Sequence, residues 1–283
     1  MMRSLFLTAA LAAPLSLGAQ LTLPAMAHAA SNDIVVESAT SGGTAETATP
    51  YLDLFAAYAK THLAGWKPIV MTFFQSPKPA EEAIFAKKPG FGMLDVELFL
   101  DVRKREEVVV LATAEGPLHS HGHMHLVVKD PAIKTLEDLK GKVLVSNHLQ
   151  SPRYVSKVVF DGKIDVTTFF KLEPSASPMK GLKAVDRGEA AATMVDDQQL
   201  ASMKTLPFGA SLRTIFTSTA LPPTPFVAFA KNATPEERIA MQKMVLGMCA
   251  DAKGAEVCKA LQITKFGKPD AKVWNDSMKR YDK

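Results

Sequence analysis

The most constraining feature of this 283-residue chain is the alternation of short β-rich runs with helical runs. The run 33–38 is rich in Val and Ile, and a loop of small residues follows it. A helix is predicted from Thr49-Pro50, because Leu52, Phe55 and Tyr58 recur at helical spacing. This alternation continues along the chain and is typical of sheets whose parallel strands are joined by crossover helices. We therefore expect an α/β fold with mixed sheets.

Residues 1–29 have the composition of a secretory signal peptide. Arg3 precedes an apolar run, and the small residues Ala27 and Ala29 predict cleavage after Ala29. Pro14 interrupts the apolar run before it reaches the ~20 residues that span a bilayer. The sequence therefore predicts an exported, periplasmic protein without a membrane anchor.

Charge and motifs exclude several classes of function. The formal net charge of +4 is scattered and forms no run of Lys or Arg, which argues against nucleic acid or a membrane surface as partner. No nucleophile elbow, P-loop, His-Glu-x-x-His or Cys-x-x-Cys motif is present, so we expect no enzyme. Cys249 and Cys258 are close together in an exported chain, which favours a local disulfide over a reactive thiol.

Several motifs carry a family resemblance. The run 126–130 leads into 135–142, which reads Thr-Leu-Glu-Asp-Leu-Lys-Gly-Lys and predicts a short helix capped by Thr135 and Asp138. Further matching runs are 92–96 and 184–191. Together, and in this order, they resemble the type II periplasmic solute-binding proteins, and most of all the phosphate/phosphonate-binding (PhnD-like) family of ABC transporters.

The resemblance implies two lobes with a ligand cleft between them, at the carboxyl ends of the strands. Residues 30–127 with 218–283 would form one lobe and 128–217 the other. The implied function is capture of a small polar or anionic solute for an ABC importer. The solute would be a phosphate- or phosphonate-like oxyanion or a small organic acid. The partners would be this solute and a membrane permease, and the protein would act as a monomer without a cofactor.

Two loops with small or hydroxyl-bearing residues precede helices and are candidates for anion binding, because the N–H groups at a helix N-terminus are free. The candidates are Ser41, Gly42, Gly43 and Thr44 in the first lobe, and Gln150 and Ser151 in the second. Phosphonate binders carry a Ser/Thr-Ser-Gly run at the second turn, whereas residues 147–152 here read Asn-His-Leu-Gln-Ser-Pro. The identity of the ligand therefore stays open.

Other polar residues are placed to line the cleft. Arg153 could offer a bidentate donor and Tyr154 a stacking ring. Carboxylates that follow strands in each lobe argue against a purely anionic ligand, although helix capping would also explain them. The remaining candidates are Gln75, Asp95, Glu97, His148 and Asp196.

Four histidines lie within the run 119–125. In an extended strand His119, His121, His123 and His125 would share one face, where they could bind Zn or Cu. His121 and His123 could instead line the cleft as hydrogen-bond donors. A periplasmic metal-binding or metal-delivery protein is therefore an alternative function.

Two further alternatives follow from the same fold. The loss of hydroxyl groups at 147–152 would suit a larger apolar ligand. A ligand-sensing subunit of a signalling system would have the same sequence pattern as a transport protein.

Overall fold

The computed structural model describes residues 31–39, 43–117, 119, 122–175 and 177–283. The predicted signal peptide, residues 1–29, lies outside this part. The strands, in chain order, are Ile34–Glu37 (β1), Met71–Phe74 (β2), Phe91–Met93 (β3), Val108–Glu115 (β4), Met124–Val128 (β5), Val143–Ser146 (β6), Lys171–Pro174 (β7), Ala192–Asp196 (β8), Arg213–Thr217 (β9), Pro225–Phe229 (β10) and Lys265–Gly267 (β11). The helices are Ala45–His62 (α1), Pro77–Lys87 (α2), Val96–Val102 (α3), Pro152–Tyr154 (α4), Val166–Phe169 (α5), Pro178–Asp186 (α6), Asp197–Met203 (α7), Pro235–Met248 (α8), Ala252–Ala260 (α9) and Ala271–Asp282 (α10).

Two mixed sheets are formed within the described residues. The first has the order β11-β4-β10-β3-β1-β2, in which β1 pairs parallel with β2 and β3. The second has the order β7-β6-β8-β5-β9, in which β6 pairs parallel with β7 and β8. We call the first sheet with α1–α3 and α8–α10 lobe 1, and the second sheet with α4–α7 lobe 2. The α/β fold with mixed sheets that the sequence predicts is confirmed.

The chain crosses between the sheets twice, after β4 and after β9. The first crossing differs from the expected boundary at residue 127. Met124–Val128 forms β5, which pairs with β8 and β9 inside the second sheet. Residues 124–127 therefore lie in lobe 2. The family resemblance implies that the run 126–130 crosses between the lobes. The sequence pattern of this run does not show with which strands it pairs.

Two local predictions from the sequence were wrong. Helix α1 begins at Ala45 rather than at Thr49, because Thr44 and Thr47 form a reciprocal capping box and Pro50 is accommodated inside the helix. The run 135–142 forms only a 3₁₀ turn, Glu137–Leu139. The Asp138 carboxylate, which lies inside this turn, accepts hydrogen bonds from the backbone N–H groups of Lys134 and Thr135 and so caps it.

The C-terminal helix α10 joins the two lobes. On the lobe 1 side, Arg103 donates to Asp282 at 2.7 Å and the Phe99 ring meets Trp274 edge to face. On the lobe 2 side, Arg280 donates to the Val158 carbonyl at 3.1 Å. The buried aromatic side chains of α10, Trp274 and Tyr281, belong to an apolar cluster that continues from the first sheet into lobe 2. Helix α10 therefore packs against both lobes at once.

A disulfide joins Cys249 and Cys258 across the junction of α8 and α9, as expected. The run Thr234-Pro235-Glu236-Glu237 has the residues of a helix start and predicts one long C-terminal helix here. Instead α8 ends at Met248, and Asp251 caps the start of α9 by accepting the N–H groups of Lys253 and Gly254. The disulfide holds the two helices together at this turn.

Replacing both cysteines with serine should lower the free energy of unfolding by about 2–3 kcal/mol, because the disulfide closes a short loop in the unfolded chain. For a chain of this size the melting temperature should fall by roughly 5–10 °C. Thermal unfolding followed by circular dichroism measures this, with dithiothreitol-treated wild type as the control. Equal melting temperatures would show that the disulfide does not stabilise the fold.

Candidate ligand-binding site

A cavity of about 300 Å³ lies in lobe 1 between α1 and the first sheet. Its walls are mainly apolar. They are formed by α1, by strands β1, β2, β3 and β10, and by the turn after α9. The apolar side chains that line it include Leu52, Phe55, Phe73, Met93 and Phe226. Because the carboxyl end of β1 and the residues after β3 contribute to its lining, the cavity lies at the edge of the sheet where a ligand cleft is expected.

Three polar residues of the cavity lining lie at adjacent strand ends of the sheet. Glu37 is the last residue of β1, and its Oε2 accepts the Asp95 N–H at 3.1 Å. Asp95 follows β3, and Thr224 precedes β10. The Leu94 N–H donates to the Pro225 carbonyl at 3.3 Å, which continues the antiparallel register and places Thr224 opposite Asp95. The strand pairing therefore brings all three side chains together.

Two polar atoms of this lining have no hydrogen-bond partner within the described residues. They are Glu37 Oε1 and Thr224 Oγ1. Glu37 is only 1% exposed and Thr224 only 3%. Burying a polar group without a partner costs free energy, so such atoms in a cavity are typical of a site that a ligand completes.

Glu37, Asp95 and Glu97 form a buried group that we call the carboxyl cluster. Burial, together with the neighbouring charges of Asp95 and Glu97, raises the pKa of Glu37 to about 10. Burial and the charge of Glu97 raise the pKa of Asp95 well above its ordinary value, and burial likewise raises that of Glu97. None of the salt bridges within the described residues involves the cluster. We therefore expect Glu37 to be protonated at neutral pH.

Lobe 2 contributes a second set of buried polar groups at the carboxyl end of β6. Both side-chain polar atoms of Asn147 and the Nε2 of His148 lack a partner within the described residues. Burial lowers the pKa of His148 to about 4, despite a hydrogen bond with Gln199 that acts in the opposite direction. His148 is therefore neutral, so this turn offers polar groups without a positive charge.

Tyr154 belongs to lobe 2, and carboxyl charges of lobe 1 affect its pKa. It lies in α4 of lobe 2 and is buried. Burial raises its pKa well above the ordinary value, and the charges of Glu97 and Asp95 raise it further. This residue was predicted to line the cleft, and the structure places it near the carboxyl cluster.

The predicted first-lobe loop is described only from Gly43 onward. Gly43 lines the cavity, and its carbonyl accepts a hydrogen bond from the Gln75 side chain. Thr44 caps α1 and is exposed. The predicted contacts of Ser41 and Gly42 lie outside the described residues.

The second-lobe residues that the sequence predicted for ligand binding do not gather at one place. Ser151 caps α4 by accepting the Tyr154 N–H, and Gln150 is exposed. Arg153 extends toward α10, where its guanidinium lies over the Tyr281 ring at 4.8 Å. Asp196 accepts the Gln199 N–H at 2.7 Å and so caps α7. Helix capping is the alternative role that the sequence left open for this carboxylate.

The three histidines of the run that the structure describes do not form one cluster. His119 lines the lobe 1 cavity, and its Nε2 lies 3.1 Å from the Leu261 carbonyl. His123 and His125 instead face Asp197 of lobe 2, with nitrogen–oxygen distances of 3.3 and 2.5 Å. His121 lies outside the described residues. His119, His123 and His125 do not share one strand face, because β5 begins only at Met124.

No set of three or more His, Cys, Asp or Glu side chains in the described part of the chain is arranged to hold a metal ion. Likewise, no helix found there is long and apolar enough to cross a membrane.

Sequence reasoning missed Glu37 and Thr224. Glu37 was assigned to the first strand, and Thr224 to a connection. The signal for Glu37 is an acidic residue at the carboxyl end of an otherwise apolar strand. For Thr224 no such signal exists, since its place opposite Asp95 depends on how β10 pairs with β3.

Replacing Glu37 with Gln should stabilise the ligand-free protein at pH 8. The unfolded chain ionises this carboxyl near its ordinary pKa, whereas the folded protein keeps it protonated up to a pKa of about 10. Wild-type stability should therefore fall as the pH rises from about 4.5 toward 10. The gain for Glu37→Gln should be about 1–3 kcal/mol at neutral pH and vanish near pH 4. Urea unfolding at pH 4, 6 and 8 tests this, with the exposed Glu82→Gln as control. A destabilised variant at pH 8 would show that Glu37 is ionised and paired.

The fold is similar to several solved structures. A protein from Xanthomonas citri bound to ATP superimposes with a TM-score of 0.71 at 12% identity, covering 89% of this chain and 96% of that one. PhnD1 from Prochlorococcus marinus in complex with methylphosphonate gives 0.64 at 11% identity, covering 88% and 97%. A binding protein component of an ABC phosphonate transporter from Pseudomonas aeruginosa gives 0.61 at 16% identity, covering 88% and 87%. These similarities show the two-lobed type II periplasmic-binding fold.

The sequence also matches a family profile, although no curated protein matches it. The profile is described as ABC transporter, phosphonate, periplasmic substrate-binding protein, and it matches residues 62–274. Proteins of this family are binding components of transporters, not enzymes, and they bind small ligands without a cofactor. The chain therefore belongs to the family of periplasmic substrate-binding proteins of ABC phosphonate transporters, which confirms the expectation of a small-molecule binder that delivers its ligand to a membrane permease.

Proposed function

We propose that this protein captures a small organic solute whose amino group binds to the carboxyl cluster of lobe 1. The observation that carries the proposal is the unpartnered Glu37 Oε1, buried in the cavity lining beside Asp95. A protonated amine would supply the hydrogen-bond donors that this oxygen lacks. It would also bring the positive charge that the cluster lacks within the described residues.

Electrostatics favour an amine over a bare oxyanion. Carboxyls with raised pKa values lack a compensating charge, and a cation beside them would restore their ionised form. Two opposite charges attract more strongly in such a desolvated site than in water. An oxyanion placed directly against Glu37 and Asp95 would instead be repelled or would hold them protonated.

One helix N-terminus in each lobe supports the same conclusion. Helix α3 begins with Asp95 and Glu97, and α7 with Asp196 and Asp197. Each of these ends therefore carries its own carboxylates where an anionic ligand would otherwise bind.

The family suggests the second chemical group of the ligand, a phosphonate. Its profile is that of phosphonate transport, and PhnD1 is in complex with methylphosphonate. A phosphonate that also carries an amino group reconciles this with the carboxyl cluster. Asn147 and Thr224, both buried with unpartnered polar atoms, are candidate donors to its oxygens.

The two lobes would enclose this ligand by rotating about the crossings after β4 and after β9. Lobe 1 would comprise the chain up to the first crossing and again from residue 218, and lobe 2 the part between. Closure of this kind is a common way for binding proteins to trap ligand. The protein would perform no chemistry on the bound molecule, and residues 1–29 would direct export and then be removed.

Aminomethylphosphonate should bind at least tenfold more tightly than methylphosphonate, because only the former brings a cation to Glu37. Glu37→Gln should remove most of this discrimination, since truncating one partner of a buried charge pair costs about 2–5 kcal/mol. Titration calorimetry at pH 7.5 measures both affinities, and Glu82→Gln is again the matched control. Equal affinity of wild type for the two phosphonates would contradict the proposal.

A further inference from the structure

The apolar cavity of lobe 1 is larger than a ligand's polar head group requires. Its volume is about 300 Å³, whereas an apolar protein cavity of roughly 150 Å³ is enough to hold benzene. The cavity continues from the carboxyl cluster into a space walled by Leu52, Phe55 and Met93. An amino group at Glu37 would therefore leave most of this space unfilled.

The walls of the cavity are mainly apolar and aromatic. Phe55 of α1 stacks on Phe226 of β10 with ring centroids 6.1 Å apart, and both rings are buried. His119, the basic side chain in the lining, is held neutral because burial lowers its pKa. A mainly apolar cavity can take up apolar guests.

We propose that the lobe 1 cavity is a subsite for an apolar substituent of the ligand, an alkyl chain or a ring attached close to its amino group. This inference rests on the proposed function, because the carboxyl cluster fixes where the substituent enters. It assigns the ligand to organic amines with an apolar side group and excludes inorganic oxyanions. Leu52, Phe55 and Met93 then determine how long that group can be.

The test uses 1-aminoalkylphosphonates whose alkyl group grows from methyl to pentyl, with the matching alkylphosphonates that lack the amine. Binding to the full mature protein is measured by titration calorimetry. In wild type, affinity should rise about fourfold with each added methylene, the gain expected for burying a CH₂ group. An inorganic phosphate titration gives the baseline.

Two variants fill the cavity from opposite walls, Ala48→Leu on α1 and Ala260→Leu at the end of α9. Each should abolish the gain for the longer chains while leaving affinity for the methyl compound unchanged. Ala57→Leu, on the exposed side of α1 and outside the cavity lining, is the matched control and should behave as wild type. Melting curves establish that each variant is folded.

The outcomes separate this inference from the proposed function. If affinity does not depend on chain length while the amine is still preferred, the subsite is overturned and the amine site stands. If affinity grows with chain length equally with and without the amine, the subsite stands and the amine site is overturned. If no compound binds better than phosphate, both are overturned.

Discussion

The parallel pairing of β1 with β3 is the interaction on which the proposed site depends. It sets Val36 beside Met93, so the two strands end at the same level and Glu37 reaches the Asp95 N–H. The antiparallel pairing of β10 on the other side of β3 adds Thr224 at the same edge. Hydrogen bonds of the backbone thus concentrate polar side chains at one place, although these side chains are far apart in the sequence.

This arrangement has an energetic consequence. Three carboxyls are desolvated together without a basic partner in the described residues, so the folded protein keeps Glu37 protonated. Buried polar groups without partners destabilise a fold, and proteins retain them mainly where function requires them. A ligand that brings a positive charge would relieve this cost, which is why we expect ligand binding to be coupled to the ionisation of the cluster. Two features away from the site stabilise the fold. They are the disulfide between α8 and α9 and helix α10, which packs against both lobes.

The sequence predicted the fold class, the order of most elements and the disulfide, because these follow from local periodicity and from the spacing of two cysteines. The sequence also predicted Asp95 and Tyr154 as ligand-binding residues, and their contact with a ligand stays a prediction. It could not place the histidine run, since the turn before β5 sends His119 into lobe 1 and His125 toward Asp197. Nor could it find Thr224, whose role depends on the pairing of β10 with a strand more than a hundred residues earlier. Long-range strand pairing is the information that local patterns lack.

The central claim is that Glu37 is protonated in the free protein and ionises when it receives the ligand's amine. Carbon-13 NMR of the glutamate side-chain carboxyls, with Glu37→Gln to assign the resonance, tests this directly. The account predicts a protonated carboxyl at pH 7 that shifts to the ionised position when aminomethylphosphonate is added. A Glu37 carboxyl already ionised at pH 7, or one that does not respond to the ligand, would contradict it.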